Sequence, residues 1–269
     1  MTNPTEIIPG VIFYSYLSTL RKEKVGFFEH STLVLQVSGS FTLETASQNI
    51  SMNGGEMMLI RKNQLGELTK TPPEGENYQT IIICLKEDLL RKFALEEQIE
   101  VSQKYQGQPN VLIPGNDFLR GFFQSLIPYV HHPEAKITQD MGMLKVREGV
   151  KLLLYTMPAL KEFLFDFSEN HKIDLEKFML SNFHFNVPVE KFAQLTGRSL
   201  AAFKRDFQKT FDMAPRQWLQ EKRLTEAKYL IETKNKKPSV IYLDLGFESL
   251  SHFSHSFKKK FGKTPTELV

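Results

Sequence analysis

A phenylalanine ladder that occurs twice in the last hundred residues constrains the fold of this chain more than any other feature. Phe203, Phe207, Phe211 and Pro215 follow one another at steps of four. Residues four apart lie on one face of an α-helix, so this ladder predicts a helix with one buried aromatic stripe. The second set has the same spacing and lies fifty residues further on, at Phe253, Phe257, Phe261 and Pro265.

The same order of elements precedes each ladder. A short apolar stretch, residues 189–195 or 240–245, is followed by a glycine, Gly197 or Gly246, and then by the phenylalanine helix. A short helix, a tight turn containing glycine and a second helix form the helix-turn-helix motif that reads DNA. Residues 216–233 predict a helix that joins the two copies. The sequence therefore predicts an all-α domain with two helix-turn-helix motifs and a linker helix.

The face opposite the first phenylalanine stripe is polar and basic. In a helix-turn-helix motif this face lies in the major groove, where side chains contact bases and phosphates. Arg205 lies in the middle of it, and arginine bonds bidentately to guanine O6 and N7. Lys204 fits either a base or a phosphate contact. Arg198 and Ser199, near the helix start, suit phosphate positioning.

The second recognition helix begins with Leu250, Ser251 and His252, and His255 follows one turn later. Ser251 fits either a phosphate contact or a helix cap. The two histidines could bind a metal or contact DNA, and DNA is favoured because no third metal ligand is evident nearby. Lys258 and the two lysines after it fit phosphate contacts or solvated charges.

Charge is divided unevenly along the chain. Residues 1–169 carry 16 lysines and arginines against 20 acidic residues, a net charge of −4. Residues 170–269 carry 18 lysines and arginines against 11 acidic residues, a net charge of +7. A basic region attracts polyanions, so double-stranded DNA is the favoured partner of the second half. Chance clustering on a solvated surface is the alternative.

Residues 11–84 predict a different architecture. Short segments rich in Val, Ile, Thr, Phe and Tyr are separated by turn sequences such as Asn53-Gly54-Gly55. Many short strands at this spacing are typical of a β-barrel or jelly roll. The predicted strands cover residues 11–16, 31–39, 40–45, 56–60 and 77–85.

Amphipathic helices are predicted after the strands, over Lys86–Glu100, from Asn116 to about Tyr129, and over Thr138–Thr156. Periodicity does not decide whether their apolar faces form a core or a dimer interface. The predicted fold class is therefore α+β, divided by a polar stretch near residues 168–172. The predicted domains are residues 1–168 and 169–269.

Several kinds of protein and site are not expected. Cys84 is the single cysteine, which excludes an internal disulfide and argues against a cysteine-based zinc site. No apolar run approaches about 18 residues, so no membrane span is expected. The start of the chain lacks the pattern of a signal peptide, so a cytoplasmic protein is expected. The front half has no His-x-His pair, and no metal, cofactor or catalytic residue is predicted.

Residues 246–267 resemble the signature of the AraC/XylS-type transcription regulators. The resemblance covers about residues 172–269, and the front half is similar to the cupin-like sensing and dimerising domain of many members. Arg223 and Ala227 fit the linker helix of the family. The positions that fit the two motifs are Ala193, Gly197, Ser199, Phe203, Phe207 and Pro215 in the first, and Gly246, Phe247, Ser251, Phe253, Phe257, Lys258, Phe261, Gly262, Thr264 and Pro265 in the second.

The resemblance implies roles for individual residues. It places a base-reading side chain at Arg205 and a close approach to bases at Ala201, whose methyl group would contact thymine. The chain departs from the family at Tyr242, where a small residue is usual, and at His255, where a basic residue is frequent. These departures concern the packing and the base preference of the second motif.

The predicted function is that of a sequence-specific DNA-binding transcription regulator, an activator, that reads two adjacent major-groove half-sites. Its N-terminal domain would be controlled by a small molecule or a partner protein, and RNA polymerase is an implied partner. Whether the chain forms a homodimer stays open, and no effector-binding residue is predicted. The alternatives are a cupin-type ligand-binding protein or enzyme with a basic helical tail, and a nonspecific DNA-coating protein.

Overall fold

The chain forms two compact units, Met1–Ser168 and Glu169–Val269. The predicted boundary at residues 168–172 lies outside the part of the chain that the computed structural model describes. The first unit contains strands followed by helices and the second contains helices, so the predicted α+β class is confirmed. The described residues are 4–25, 28–101, 103–131, 139–167 and 173–268.

Ten strands within the described residues of the first unit form two antiparallel sheets. The strands are β1 (Thr5–Ile8), β2 (Ile12–Leu17), β3 (Arg21–Val25), β4 (Ser31–Ser38), β5 (Ser40–Glu44), β6 (Asn49–Asn53), β7 (Met57–Ile60), β8 (Gly66–Thr71), β9 (Tyr78–Leu85) and β10 (Asn110–Ile113). One sheet has the order β1-β2-β9-β4-β7-β10, and the other has the order β3-β8-β5-β6. Five of these strands, β1, β3, β6, β8 and β10, were not predicted from the sequence.

The six-stranded sheet is the central layer of the first unit. Ile82 of β9 and Met58 of β7 face the four-stranded sheet, where they pack with Phe41 and Leu43 of β5. Ile81, Ile83, Met57 and Leu59 are on the other side of the central sheet and pack against helices. Both faces of β7 are therefore buried, which explains why its sequence is apolar without alternation. The two packed sheets confirm the predicted β domain.

Five helices among the described residues of the first unit cover the outer side of the central sheet. They are α1 (Glu87–Glu96), α2 (Asp117–Gln124), α3 (Ile127–His131), α4 (Gln139–Thr156) and α5 (Leu160–Phe165). Their buried side chains, among them Phe93, Phe122, Val150 and Phe163, form one core with the sheet. The second unit contains α6 (Leu175–Asn182), α7 (Val189–Leu195), α8 (Leu200–Phe211), α9 (Pro215–Lys234), α10 (Pro238–Asp244) and α11 (Leu250–Phe261).

The single helix predicted from Asn116 to about Tyr129 is two helices. Its start was correct, because the Asn116 side chain accepts a hydrogen bond of 2.8 Å from the backbone N–H of Leu119. The helix ends at Gln124 because Pro128 has no N–H to donate to the carbonyl of Gln124, and its ring would clash with that carbonyl. Likewise, α1 ends at Glu96 rather than at residue 100, and Gln98 takes a left-handed φ of 53°.

Candidate DNA-binding surface

The first helix-turn-helix motif consists of α7, a turn through Gly197, and α8. Phe203 and Phe207 on α8 are fully buried, and their ring centroids lie 5.4 Å apart. The ring of Trp218 on α9 meets that of Phe207 edge-on at 5.6 Å, so the aromatic stripe fixes α8 against the linker helix. Ser199 is the N-cap of α8, since its side chain accepts from the N–H of Ala202 at 3.3 Å.

The second motif repeats this construction with α10, a turn through Gly246, and α11. Phe253 and Phe257 are fully buried, and they pack in one cluster with Leu224 and Ala227 of α9. The half-buried side chain of Tyr242 borders the same cluster, so α10 accommodates this large residue. The two predicted aromatic stripes thus anchor both recognition helices to opposite ends of α9.

The N-cap of α11 is Ser249, not Ser251. The Ser249 side chain accepts from the N–H of His252 at 3.2 Å, whereas Ser251 lies inside the helix with an exposed side chain. Ser251 was considered as either a cap or a phosphate contact, and the geometry excludes the cap.

The exposed face of α8 contains Ala201, Lys204 and Arg205. Ala201 and Arg205 lie opposite the buried phenylalanines and Lys204 lies on the flank of that face, which is the orientation that a recognition helix needs. Within the described part of the chain, the guanidinium of Arg205 and the ammonium of Lys204 form no hydrogen bond or ion pair. Both cations are therefore available to an external anion or base.

The corresponding face of α11 is also exposed. It presents residues of mixed character, with one apolar side chain, a hydroxyl, two imidazoles and an ammonium. The described residues contain no group of three side chains placed to hold a metal ion, so the two histidines have no third ligand there. The exposed residues of this face are Leu250, Ser251, His252, His255 and Lys258.

Arg198 does not belong to the exposed surface. Its side chain is only 10% exposed, and Nε donates to Asp206 at 3.0 Å. Its Nη1 donates to the carbonyls of Thr196 at 2.8 Å and Ile173 at 3.0 Å. The guanidinium thus ties the start of α8 to the segment before α6, and the structure opposes the phosphate contact predicted from the sequence.

Arg223 of the linker helix holds the second turn in place. Its Nε donates to the carbonyl of Phe183 at 2.7 Å, Nη2 to that of Phe185 at 2.9 Å, and Nη1 to that of Gly246 at 3.1 Å. Burial lowers the pKa of Arg223 to about 10, so the group stays cationic at neutral pH. Gly246 itself has a left-handed φ of 81°.

Arg216 is an exposed cation that the sequence analysis missed. It lies in the first turn of α9 and borders two clefts, one with Lys204 and Gln208 of α8, the other with Arg223 and His252. The second cleft has a volume of about 590 Å³. The signal for Arg216 in the sequence is weak, because nothing in the spacing distinguishes it from a solvated arginine on a helix.

The rest of the described chain provides neither a membrane-spanning helix nor a reactive cysteine. Among the described helices, none combines the length and hydropathy that crossing a bilayer requires. Cys84 is partly buried, and burial raises the pKa of its thiol, which does not favour a reactive thiolate.

Each of the two units matches a known protein-family model. Residues 192–269 match the family model described as a helix-turn-helix domain, and residues 31–164 match the model described as the ExsA N-terminal regulatory domain. The chain is 36% identical over 253 residues to the thermoregulatory protein LcrF of Yersinia pestis, covering 89% of each chain.

Two further relatives match over most of their length. The virulence regulon transcriptional activator VirF of Yersinia enterocolitica is 26% identical over 253 residues, covering 89% of each chain. The HTH-type transcriptional regulator ExsA of Pseudomonas aeruginosa is 24% identical over 238 residues, covering 86% of this chain and 82% of ExsA.

Proposed function

The chain belongs to the AraC family of transcriptional regulators, and we propose that it activates transcription by reading two adjacent DNA half-sites with α8 and α11. The observation that carries this proposal is the duplicated motif. Each copy buries a phenylalanine stripe against α9 and exposes the opposite face of its second helix. The name of the relative VirF, a transcriptional activator, supports activation rather than repression.

The length of α9 suits readout of two successive major grooves. The helix has 20 residues, which at 1.5 Å per residue is about 30 Å. Successive major grooves on one face of DNA are about 34 Å apart, so motifs at the two ends of α9 are spaced for adjacent half-sites. The net charge of +7 over residues 170–269 favours the same polyanion.

The proposed contacts of α8 follow from side-chain chemistry. Arg205 reads guanine through O6 and N7, and Lys204 contacts a neighbouring base or phosphate. Ala201 offers only a methyl group, which suits contact with thymine. Ser199 caps the helix whose N-terminal N–H groups would face a phosphate. Arg198 is left out of this set because its donors are engaged inside the domain.

The side chains through which α11 would contact DNA are less basic than those of α8. His252 and His255 lie one turn apart on the exposed face and approach base edges, with Leu250 at the helix start. Ser251 and Lys258 contact phosphates, and each neutralised phosphate adds about −0.9 to the slope of log affinity against log salt. This composition predicts a weaker base preference for α11 than for α8.

Selection from random duplex DNA tests the proposal. The full chain, at about 0.15 M salt, is expected to recover a motif with two elements about one helical turn apart. Arg205→Ala should cost about 1–3 kcal/mol at one base position only. Lys209→Ala, which removes an exposed cation in the last turn of α8, is the matched control and should weaken binding evenly. If Arg205→Ala also weakens all sequences evenly, Arg205 contacts a phosphate rather than a base, and if in addition no motif is recovered, the chain coats DNA without reading it.

Regulation is assigned to the first unit. Its match to an ExsA N-terminal regulatory domain supports control of DNA binding by this unit, through a small molecule or a partner protein. Activation further requires contact with RNA polymerase. Because DNA and polymerase are in the bacterial cytoplasm, we propose that the chain acts there. A ligand that binds the folded unit raises its melting temperature, so a rise in a thermal-shift screen of sugars, lipids and aromatic acids would favour control by a small molecule.

A further inference from the structure

Helix α9 presents one face to the space between the two helix-turn-helix motifs. The cleft of about 590 Å³ is lined by four residues of α9 at steps of three and four, which are Arg216, Leu219, Gln220 and Arg223. Leu219 is buried, and the Arg223 guanidinium is engaged by three backbone carbonyls. The exposed part of this face therefore consists of the guanidinium of Arg216 and the amide of Gln220.

Arg216 lies between the two recognition helices. On one side it shares a cleft with Lys204 and Gln208 of α8. On the other side it shares the larger cleft with Glu248, in the turn before α11, and with His252 in the first turn of α11. Of the charged residues that line these two clefts, Arg216 is the one common to both. A DNA duplex in contact with both α8 and α11 therefore spans the position of Arg216.

The guanidinium of Arg216 is available to DNA. Its side chain is exposed, and no described residue forms a hydrogen bond or an ion pair with it. Glu248 does not neutralise it, because the Glu248 carboxylate accepts instead from Nδ2 of Asn186 at 3.2 Å. Each cleft is lined by two basic side chains and one acidic side chain, so both attract a polyanion.

The part of the DNA that faces the space between the motifs is a minor groove. Successive major grooves on one face of DNA are about 34 Å apart, and a minor groove lies between them, about 17 Å from each. Tracts of A·T pairs narrow this groove and make its potential more negative, which attracts arginine. A G·C pair instead places the N2 amino group of guanine in the groove. An arginine at this place distinguishes A·T from G·C pairs without reading individual bases.

We propose that Arg216 enters the minor groove of the spacer between the half-sites, so that affinity depends on the A·T content of the spacer. This inference rests on the proposed readout of two half-sites by α8 and α11. It adds a contact of a different kind, since Arg205 reads one guanine in the major groove, whereas Arg216 responds to the width and the amino groups of the minor groove.

Duplexes that differ only in the spacer test this contact. They contain the two half-sites recovered by selection, separated by A·T, G·C or inosine·cytosine pairs, and fluorescence anisotropy measures their binding to the full chain. Inosine lacks the N2 amino group, so an inosine·cytosine pair resembles A·T in the minor groove and G·C in the major groove. The wild-type chain should bind the A·T and inosine spacers alike, and both about fivefold or more tightly than the G·C spacer.

Variants of α9 assign the preference to one side chain. Arg216→Ala should bind the three duplexes alike and keep its preference for the half-sites. Arg216→Lys retains the charge but not the planar guanidinium, and should keep only part of the spacer preference. Lys234→Ala removes an exposed cation in the last turn of α9 and is the matched control, which should behave as the wild type. Melting temperatures show whether every variant is folded.

Three results would overturn the minor-groove contact. A spacer preference that survives in Arg216→Ala would mean that DNA stiffness is sensed without this side chain. An inosine spacer that binds like the G·C spacer would exclude contact with the minor groove. A wild-type chain that binds all three spacers alike would do the same, and even weakening by Arg216→Ala would then place this side chain on a phosphate. A wild-type chain with no preference for the half-sites would instead refute the proposed function itself.

Discussion

The hydrogen bonds of Arg223 predict a large loss of stability on Arg223→Met. The methionine keeps the apolar stem but removes the donors of three hydrogen bonds, which leaves the carbonyls of Phe183, Phe185 and Gly246 without their present partner. A hydrogen bond from a charged group contributes about 1.5–3 kcal/mol. Because Arg223 and Gly246 line a cleft, water can reach part of the site, and we take about 1 kcal/mol for each bond. The expected loss is about 3 kcal/mol.

Urea unfolding followed by tryptophan fluorescence measures this loss. Trp218 is the single tryptophan and packs against Phe207 and Phe211, so its emission reports the second unit within the full chain. With a urea slope of about 1.5 kcal/mol/M, Arg223→Met should lower the midpoint by about 2 M. Arg223→Lys, which retains one ammonium, should lose less.

A neighbouring lysine provides the control. Lys222→Met removes a cation 5.5 Å from the ring of Phe183, a contact that contributes about 0.5–1 kcal/mol. Its midpoint should therefore move much less than that of Arg223→Met. Equal shifts for the two variants would refute the reasoning, because they would mean that the three carbonyl bonds add nothing beyond a nearby positive charge.

Three further predictions concern the second motif. Ser249→Ala should cost about 1 kcal/mol in urea unfolding through the lost cap, whereas Ser251→Ala should stay within about 0.5 kcal/mol, and the opposite order would contradict the assignment of the cap. Gly246→Ala should cost at least about 2 kcal/mol in the same assay, because its φ is 81° and a Cβ would lie 2.5 Å from the carbonyl of His184. Lys258→Gln should make the salt slope of DNA binding shallower by about 0.9, measured by fluorescence anisotropy, and an unchanged slope would remove Lys258 from the phosphate contacts.

The sequence predicts an element well where its hydrophobic pattern is strong. The two phenylalanine ladders and the strands richest in Ile, Val and Leu were found, because their period matches the side-chain geometry of a helix or strand. The strands that were missed include β3 with the sequence RKEKV and β8 with GELTKT. Few of their side chains are apolar, so their place in the sheet is determined by backbone pairing with neighbours distant in sequence.

The residues of the candidate DNA-binding surface were likewise only partly predictable from the sequence. Helical periodicity alone determined that Arg205 lies opposite Phe203 and Phe207, with Lys204 on the flank of the same exposed face, because residues of one helix have fixed directions. It could not show that Arg198 is engaged by Asp206 and by the carbonyl of Ile173, or that Leu144 and Tyr155 of α4 are left exposed. Such partners lie far apart in the chain or depend on how whole elements pack. The sequence thus determined the two DNA-reading helices by itself, whereas only the tertiary structure decided which cations are free to bind DNA and which are used inside the protein.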